Sequence, residues 1–249
     1  MFSTLIQAAL WGFIGGLALL IGAFIGYYIK IRKKIIGCIM AFGAGVLIAA
    51  ACFELLEQAF IWGGYDSTIL GFVAGVIIFT VVNLYLSSTG AKHRKTADKT
   101  IVEDYNENGP AIAVGALLDG IPESVAIGLT MISGGAVGIA TVVAVFISNI
   151  PEGLSSSVGM KYRGWNKKTI FGLWFLIAII TGLSSLAGYT VFSQFPPDIN
   201  AATLSLAAGA LLTMIANTMI PEAFRDTHEF TGLMMSFGFL IAFILSKLA

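Results

Sequence analysis

Apolar residues run along this chain in eight blocks, each near the ~20 residues that the hydrocarbon core of a bilayer requires. They cover 4–29, 35–61, 68–88, 110–131, 135–160, 169–193, 199–224 and 229–247. Blocks of this length predict helices, because backbone in lipid must satisfy its own polar groups. Nothing sizeable remains outside them, so the chain reads as one transmembrane domain, 1–249, with one polar stretch at 89–109. The first block lacks a basic leader and is too long for a signal segment, so it reads as a retained span.

Basic residues between the blocks fix a direction. Lys30, Arg32, Lys33 and Lys34 follow span one, Lys92, Arg94, Lys95 and Lys99 follow span three, and Lys161, Arg163, Lys167 and Lys168 follow span five. Arg225 follows span seven, and only Lys247 lies elsewhere. The positive-inside rule then predicts a plasma (inner) membrane protein with both termini outside the cytoplasm. Stretch 89–109 becomes a cytoplasmic loop, and with His93 as its lone histidine it reads as a connector and not a metal sensor.

Two polar phrases interrupt the apolar pattern. Leu118-Asp119-Gly120-Ile121-Pro122-Glu123-Ser124 in span four is echoed by Ile147-Ser148-Asn149-Ile150-Pro151-Glu152-Gly153 in span five, and Ile220-Pro221-Glu222 gives a shorter echo in span seven. A carboxylate in mid-membrane costs roughly 2.5–3.5 kcal/mol on insertion scales and marks an ion path or proton relay. Each proline removes an amide and frees the carbonyl four residues earlier, at Leu118 and Ile147. The sequence therefore predicts proline-broken fourth and fifth helices, with exposed carbonyls beside acids, as cation sites in transporters have.

Counting ~1.5 Å per residue from the cytoplasmic ends puts Asp119 and Glu152 near the bilayer midplane. Asp119 and Glu123 share one helical face, as do Ser148, Glu152 and Ser156, while Asn149 lies three positions before Glu152. With no Lys or Arg inside the spans, buried acids of this kind call for protons or a cation. A divalent ion bound by Asp119, Glu123, Ser148, Asn149 and Glu152 would satisfy them together, and an oxygen-rich set suits Mn, Fe, Mg or Zn. Ser155, Ser157 and Thr181 read as ordinary interhelical hydrogen-bonding residues. Glu54 and Glu57 fall near one mouth, with Asn217 and Glu222 in span seven, where they could serve as a pathway.

A second internal likeness is longer. Gly45 to Phe60 in span two lies on Gly209 to Phe224 in span seven without a gap, and the two spans run in opposite directions. Inverted repeats flanking a midplane site belong to secondary transporters. The fold expected is an all-α integral membrane protein of eight transmembrane helices, with helices 1–3 and 6–8 as the inverted repeat. Gly22-x-x-x-Gly26 and Gly71-x-x-x-Gly75 permit close helix contact and raise a homodimer.

Composition sharpens this. The chain has 249 residues, is 57% hydrophobic and 11% charged, and has a mean hydropathy of +0.89, far from the ~25% charge of a soluble domain. Zero formal net charge offers nothing to nucleic acid. Cys38 and Cys52 both lie in a span and read as small apolar packers.

These residues resemble the ZIP family of zinc and iron permeases, its bacterial branch in particular, through the two phrases, Gly45-Val46-Leu47, Glu54-Leu55-Leu56 and Ile220-Pro221-Glu222-Ala223. The resemblance covers most of the chain. It implies uptake of divalent transition metal through a site between spans four and five, with metal as cargo and no catalytic cofactor. Carried over, the family's His-Asn-x-Pro-Glu-Gly falls on Asp119, Gly120, Pro122, Glu123 and Ser124, and again on Ser148, Asn149, Pro151, Glu152 and Gly153. Both glutamates and Asn149 are kept, but Asp119 and Ser148 stand where histidines are usual, and Asn217 where span seven often has one. Loss of imidazole weakens the expected preference for zinc. The competing transporter reading is a proton-coupled carrier of an organic solute. An intramembrane hydrolase would need a pattern such as His-Glu-x-x-His, and the two histidines, His93 and His228, lie outside the span interiors.

Overall fold

A computed structural model describes residues 2–88, 109–132 and 138–248. Among them all regular structure is helical. In order come α1 (Phe2–Tyr28), α2 (Lys33–Ala50), a π-helical turn (Ala51–Leu56) and α3 (Glu57–Leu86), then α4 (Gly109–Thr130) and α5 (Ile139–Tyr162). After these come α6 (Lys167–Phe192), α7 (Pro197–Met214), a second π-helical turn (Ile215–Met219), α8 (Ile220–Thr227) and α9 (Phe230–Leu248). Most of the polar stretch 89–109 lies outside the described residues.

Seven helices among the described residues are long and apolar enough to cross a membrane, so this is a multi-pass all-α membrane protein. One of the seven, Lys33–Leu86, has 54 residues, over twice what a bilayer needs. It breaks at Gly64, where φ is 63° and ψ −159°, a conformation that a side chain would oppose. Before the break the chain climbs from Gly37, beside Ala223 and Thr227, to Gly63, beside Ala201; after it, Gly71 and Gly75 descend along Ala202 and Leu206. One residue therefore turns the chain back on itself.

Local signals set the other ends. Asn166 caps α6 by accepting from the Thr169 amide at 2.8 Å, and α7 opens on Pro197 with Asp198 in its first turn. Gly164, at φ 79°, closes α5. The expected breaks at Pro122 and Pro151 are milder than the sequence suggests, since α4 and α5 continue through both prolines and lose one amide each.

The helices sort into two groups. In the first, α1 packs against α5 and α6, and α4 against α6; in the second, α2 packs against α9 and α3 against α7. Leu19, Met160, Ile170 and Trp174 fill the first, while Met40, Leu47, Leu55, Phe79, Leu204 and Met214 fill the second. The groups meet where α2 touches α5 and α4 touches α7. Helices in lipid gain little from excluding water, so contact depends on small residues that let backbones approach. Ser157 supplies a polar link as well, accepting from the Trp174 indole N–H at 2.7 Å between α5 and α6.

Close approaches at glycine expose the repeat. Gly45 of α2 rests on the Met235 carbonyl of α9, and Gly209 of α7 on the Phe72 carbonyl of α3. In return, Gly238 meets the Phe42 carbonyl and Gly75 meets that of Leu206. The α2 and α7 members stand 164 positions apart, the spacing of the sequence likeness, and those of α3 and α9 stand 163 apart. The two π turns also begin 164 positions apart.

The first group repeats the pattern. Gly22 meets Ile150 and Gly153 meets Leu19, while Gly188 meets Val125 and Gly128 meets Ser185. Here α1 maps on α6 at 166 positions and α4 on α5 at 25. The packing thus pairs α1, α2 and α3 with α6, α7 and α9, and α4 with α5. Gly22, Gly26, Gly71 and Gly75 all face helices of their own chain, so they give no support to a homodimer.

Candidate metal-transport site

Asp119 and Glu123 of α4, and Ser148, Asn149 and Glu152 of α5, are each no more than 5% exposed. Helical spacing puts Asp119 and Glu123 one turn apart, and both lie buried in the bundle. Ser124 donates to the Gly120 carbonyl at 2.7 Å, and Ser148 to that of Val145 at 3.0 Å. Asn149 reaches across to α1, its Nδ2 donating to the Gly15 carbonyl at 3.0 Å. That bond fixes the amide, leaving its Oδ1 as an acceptor.

Neighbouring helices wall the region with small groups. A Cβ on Gly43 of α2 would lie 3.1 Å from the Ser148 Cα, and one on Gly120 would lie 3.3 Å from the Thr181 methyl of α6. Gly15, Gly43 and Thr181 thus border the polar phrases without sharing their residues. In the sequence this wall shows only as small residues such as the tandem Gly15-Gly16. Thr181 donates to the Ala178 carbonyl at 2.9 Å, a bond within α6 and not the interhelical one expected of it.

Among the described residues no group of three His, Cys, Asp or Glu is placed to hold a metal ion. The cause is in the packing: α4 leans on α6 and α5 on α1, and the two touch each other only lightly. The phrases repeat at 29 positions but the packing pairs α4 with α5 at 25, so they sit one helical turn out of step with it.

The expected pathway residues are scattered toward the ends. Glu54 is half-buried in the first π turn, and Glu57 is exposed, with the Lys247 ammonium 3.4 Å away. Asn217 is exposed in the second π turn, and Glu222 pairs with Arg225 one turn later. Pro221 removes an amide just after that turn, which opens the backbone beside Asn217. Cys38 and Cys52 are half-buried free thiols.

Buried carboxylates and an oriented amide inside membrane helices are groups of the kind that ligate cations. Comparison with known proteins agrees in class. The chain matches no protein-family model. It is 26% identical to the zinc transporter ZupT of Clostridium perfringens over 89% of its own length and 88% of that protein. It is also 26% identical to the zinc transporter ZupT of Chlorobium chlorochromatii, covering 84% of each chain, and 25% identical to the zinc transporter ZTP29 of Arabidopsis thaliana, covering 85% and 82%. The resemblance to the ZIP family therefore extends over most of the chain, and these relatives are named as transporters, not enzymes.

Proposed function

We propose that this chain is a carrier of divalent transition metal that moves ions into the cytoplasm through the interior of α4 and α5. The observation that carries the reading is the burial, on two helices of a multi-pass bundle, of Asp119, Glu123, Asn149 and Glu152 inside repeated proline-glutamate phrases. Zinc is the cargo named for the relatives; with Asp119 and Ser148 in place of imidazoles, iron and manganese are reasonable cargoes as well. Counting Lys33–Leu86 as two crossings gives eight spans, with both termini outside the cytoplasm by the distribution of Lys and Arg. The whole chain then forms one transport domain in the plasma membrane.

Transport then requires α4 and α5, two members of one helix group, to offer their ligands to an ion from either side in turn as that group shifts against the second. An inverted repeat gives such a shift two related end states. The test is uptake of zinc, iron and manganese into proteoliposomes. Glu123→Gln and Glu152→Gln should each abolish most metal flux while the protein still folds; undiminished flux in both variants overturns the reading. Flux of an organic solute with protons, in the absence of metal uptake, would favour the competing carrier.

A further inference from the structure

At the end of the bundle that carries most of the basic residues, α1 finishes against the last turn of α5 and the first turn of α6. Tyr27, Lys30, Ile31, Val158, Lys161 and Tyr162 line a cavity of about 310 Å³ there, and no described residue in its lining is acidic. The Lys161 ammonium donates to the Tyr27 carbonyl at 2.7 Å and lies 4.8 Å from the Tyr27 ring centroid. That bond uses one of its three N–H donors. The Lys167 ammonium lies 4.9 Å from the centroid of Tyr28, which also borders the cavity, and the Tyr28 ring stacks on Phe171 at 6.2 Å. Aromatic rings thus hold two cations at a fixed place, and the exposed Lys30 adds a third.

We infer that this cleft binds the headgroup of an anionic phospholipid. Two features of the place favour a lipid over a soluble anion. It lies where membrane helices end, and Tyr27, Tyr28 and Tyr162 rim it, rings of the kind that gather at the headgroup level. A phosphate diester would accept hydrogen bonds from the free ammonium donors of Lys161 and from Lys30 and Lys167. Each basic residue near an anionic surface is worth about fivefold in affinity, and a fixed ammonium loses less freedom on binding than a mobile one. None of this involves the acids of α4 and α5, so it stands apart from the transport proposal.

Native mass spectrometry of the purified chain with phosphatidylglycerol or phosphatidylcholine at equal concentration tests it. The wild type should retain phosphatidylglycerol in preference, and Lys161→Gln with Lys167→Gln should reduce that preference by about fivefold for each lysine removed. The Arg/Arg counterpart should keep it. Lys34→Gln, whose ammonium sits over Phe230 elsewhere on the same end, should leave it unchanged. Equal retention of the two lipids by the wild type overturns the inference, as does an equal loss in Lys34→Gln. Displacement of the lipid by millimolar inorganic phosphate would identify a soluble anion as the ligand and also overturn it. If the glutamine pair fails to fold, the wild-type preference and the phosphate competition decide alone.

Discussion

The side chain of Asn149 is bonded to the main-chain carbonyl of Gly15, 134 positions away in sequence, at 3.0 Å. A polar residue of the α5 phrase is thereby held to the middle of α1, where the acceptor is available because glycine keeps the two backbones close. Asn149→Ala should remove a second, interhelical bond from a carbonyl that its own helix already engages and cost about 0.5–1.5 kcal/mol, seen as a lowered unfolding temperature in detergent. Asn149→Asp should cost at least as much, since a carboxylate cannot donate to that oxygen.

The repeat makes matched predictions. A methyl on Gly45 would collide with the Met235 carbonyl, and one on Gly209 with that of Phe72, and in neither case can backbone step aside. Gly45→Ala and Gly209→Ala should therefore both destabilise, by about 1–3 kcal/mol, and to similar degrees. Gly172→Ala and Gly232→Ala, with nothing within 4 Å, should be neutral or slightly stabilising. Folded yield and thermal unfolding of the four variants check the pattern.

Trp174 is fully buried and its indole N–H is satisfied by Ser157. Ser157→Ala strands that donor and should cost about 1–3 kcal/mol, whereas Trp174→Phe removes the donor with the need for it but leaves a void. Ser157→Ala should also alter the emission of Trp174, which a tryptophan fluorescence spectrum would report.

The pair of Glu57 and Lys247 is half exposed on both sides. Lys247→Gln should change stability by less than about 1 kcal/mol, and added salt should erase even that. A large loss of metal uptake in this variant, with stability intact, would instead assign the pair a role at the mouth.

Ligand chemistry predicts selectivity. Asp119→His and Ser148→His restore imidazole at two buried positions and should raise zinc uptake relative to manganese. Competition between the two metals in the same vesicles measures the ratio.

Much of this was legible in the chain. The lengths of the spans follow from hydropathy, which is local, and the 164-position likeness from laying the residues of one span on another. Partner choice was not, because a helix that is apolar all round shows no preferred face; that Gly22 meets Ile150 and Gly71 meets Ala202 emerges only in three dimensions. The polar phrases announced buried acids, and Asp119, Glu123 and Glu152 are indeed buried. How their helices are held could not be read, since α4 and α5 each lean on another helix. The wall residues Gly15 and Gly43 carry no side chain that could signal chemistry.

A π turn accommodates one residue more than an α turn, so it swings everything after it by about 100° around the axis. Both copies of the unit hold such a turn at corresponding places, so the helix beyond it is re-aimed in the same sense in each half, and any side chain past the turn faces a direction that plain α-helical counting would misplace.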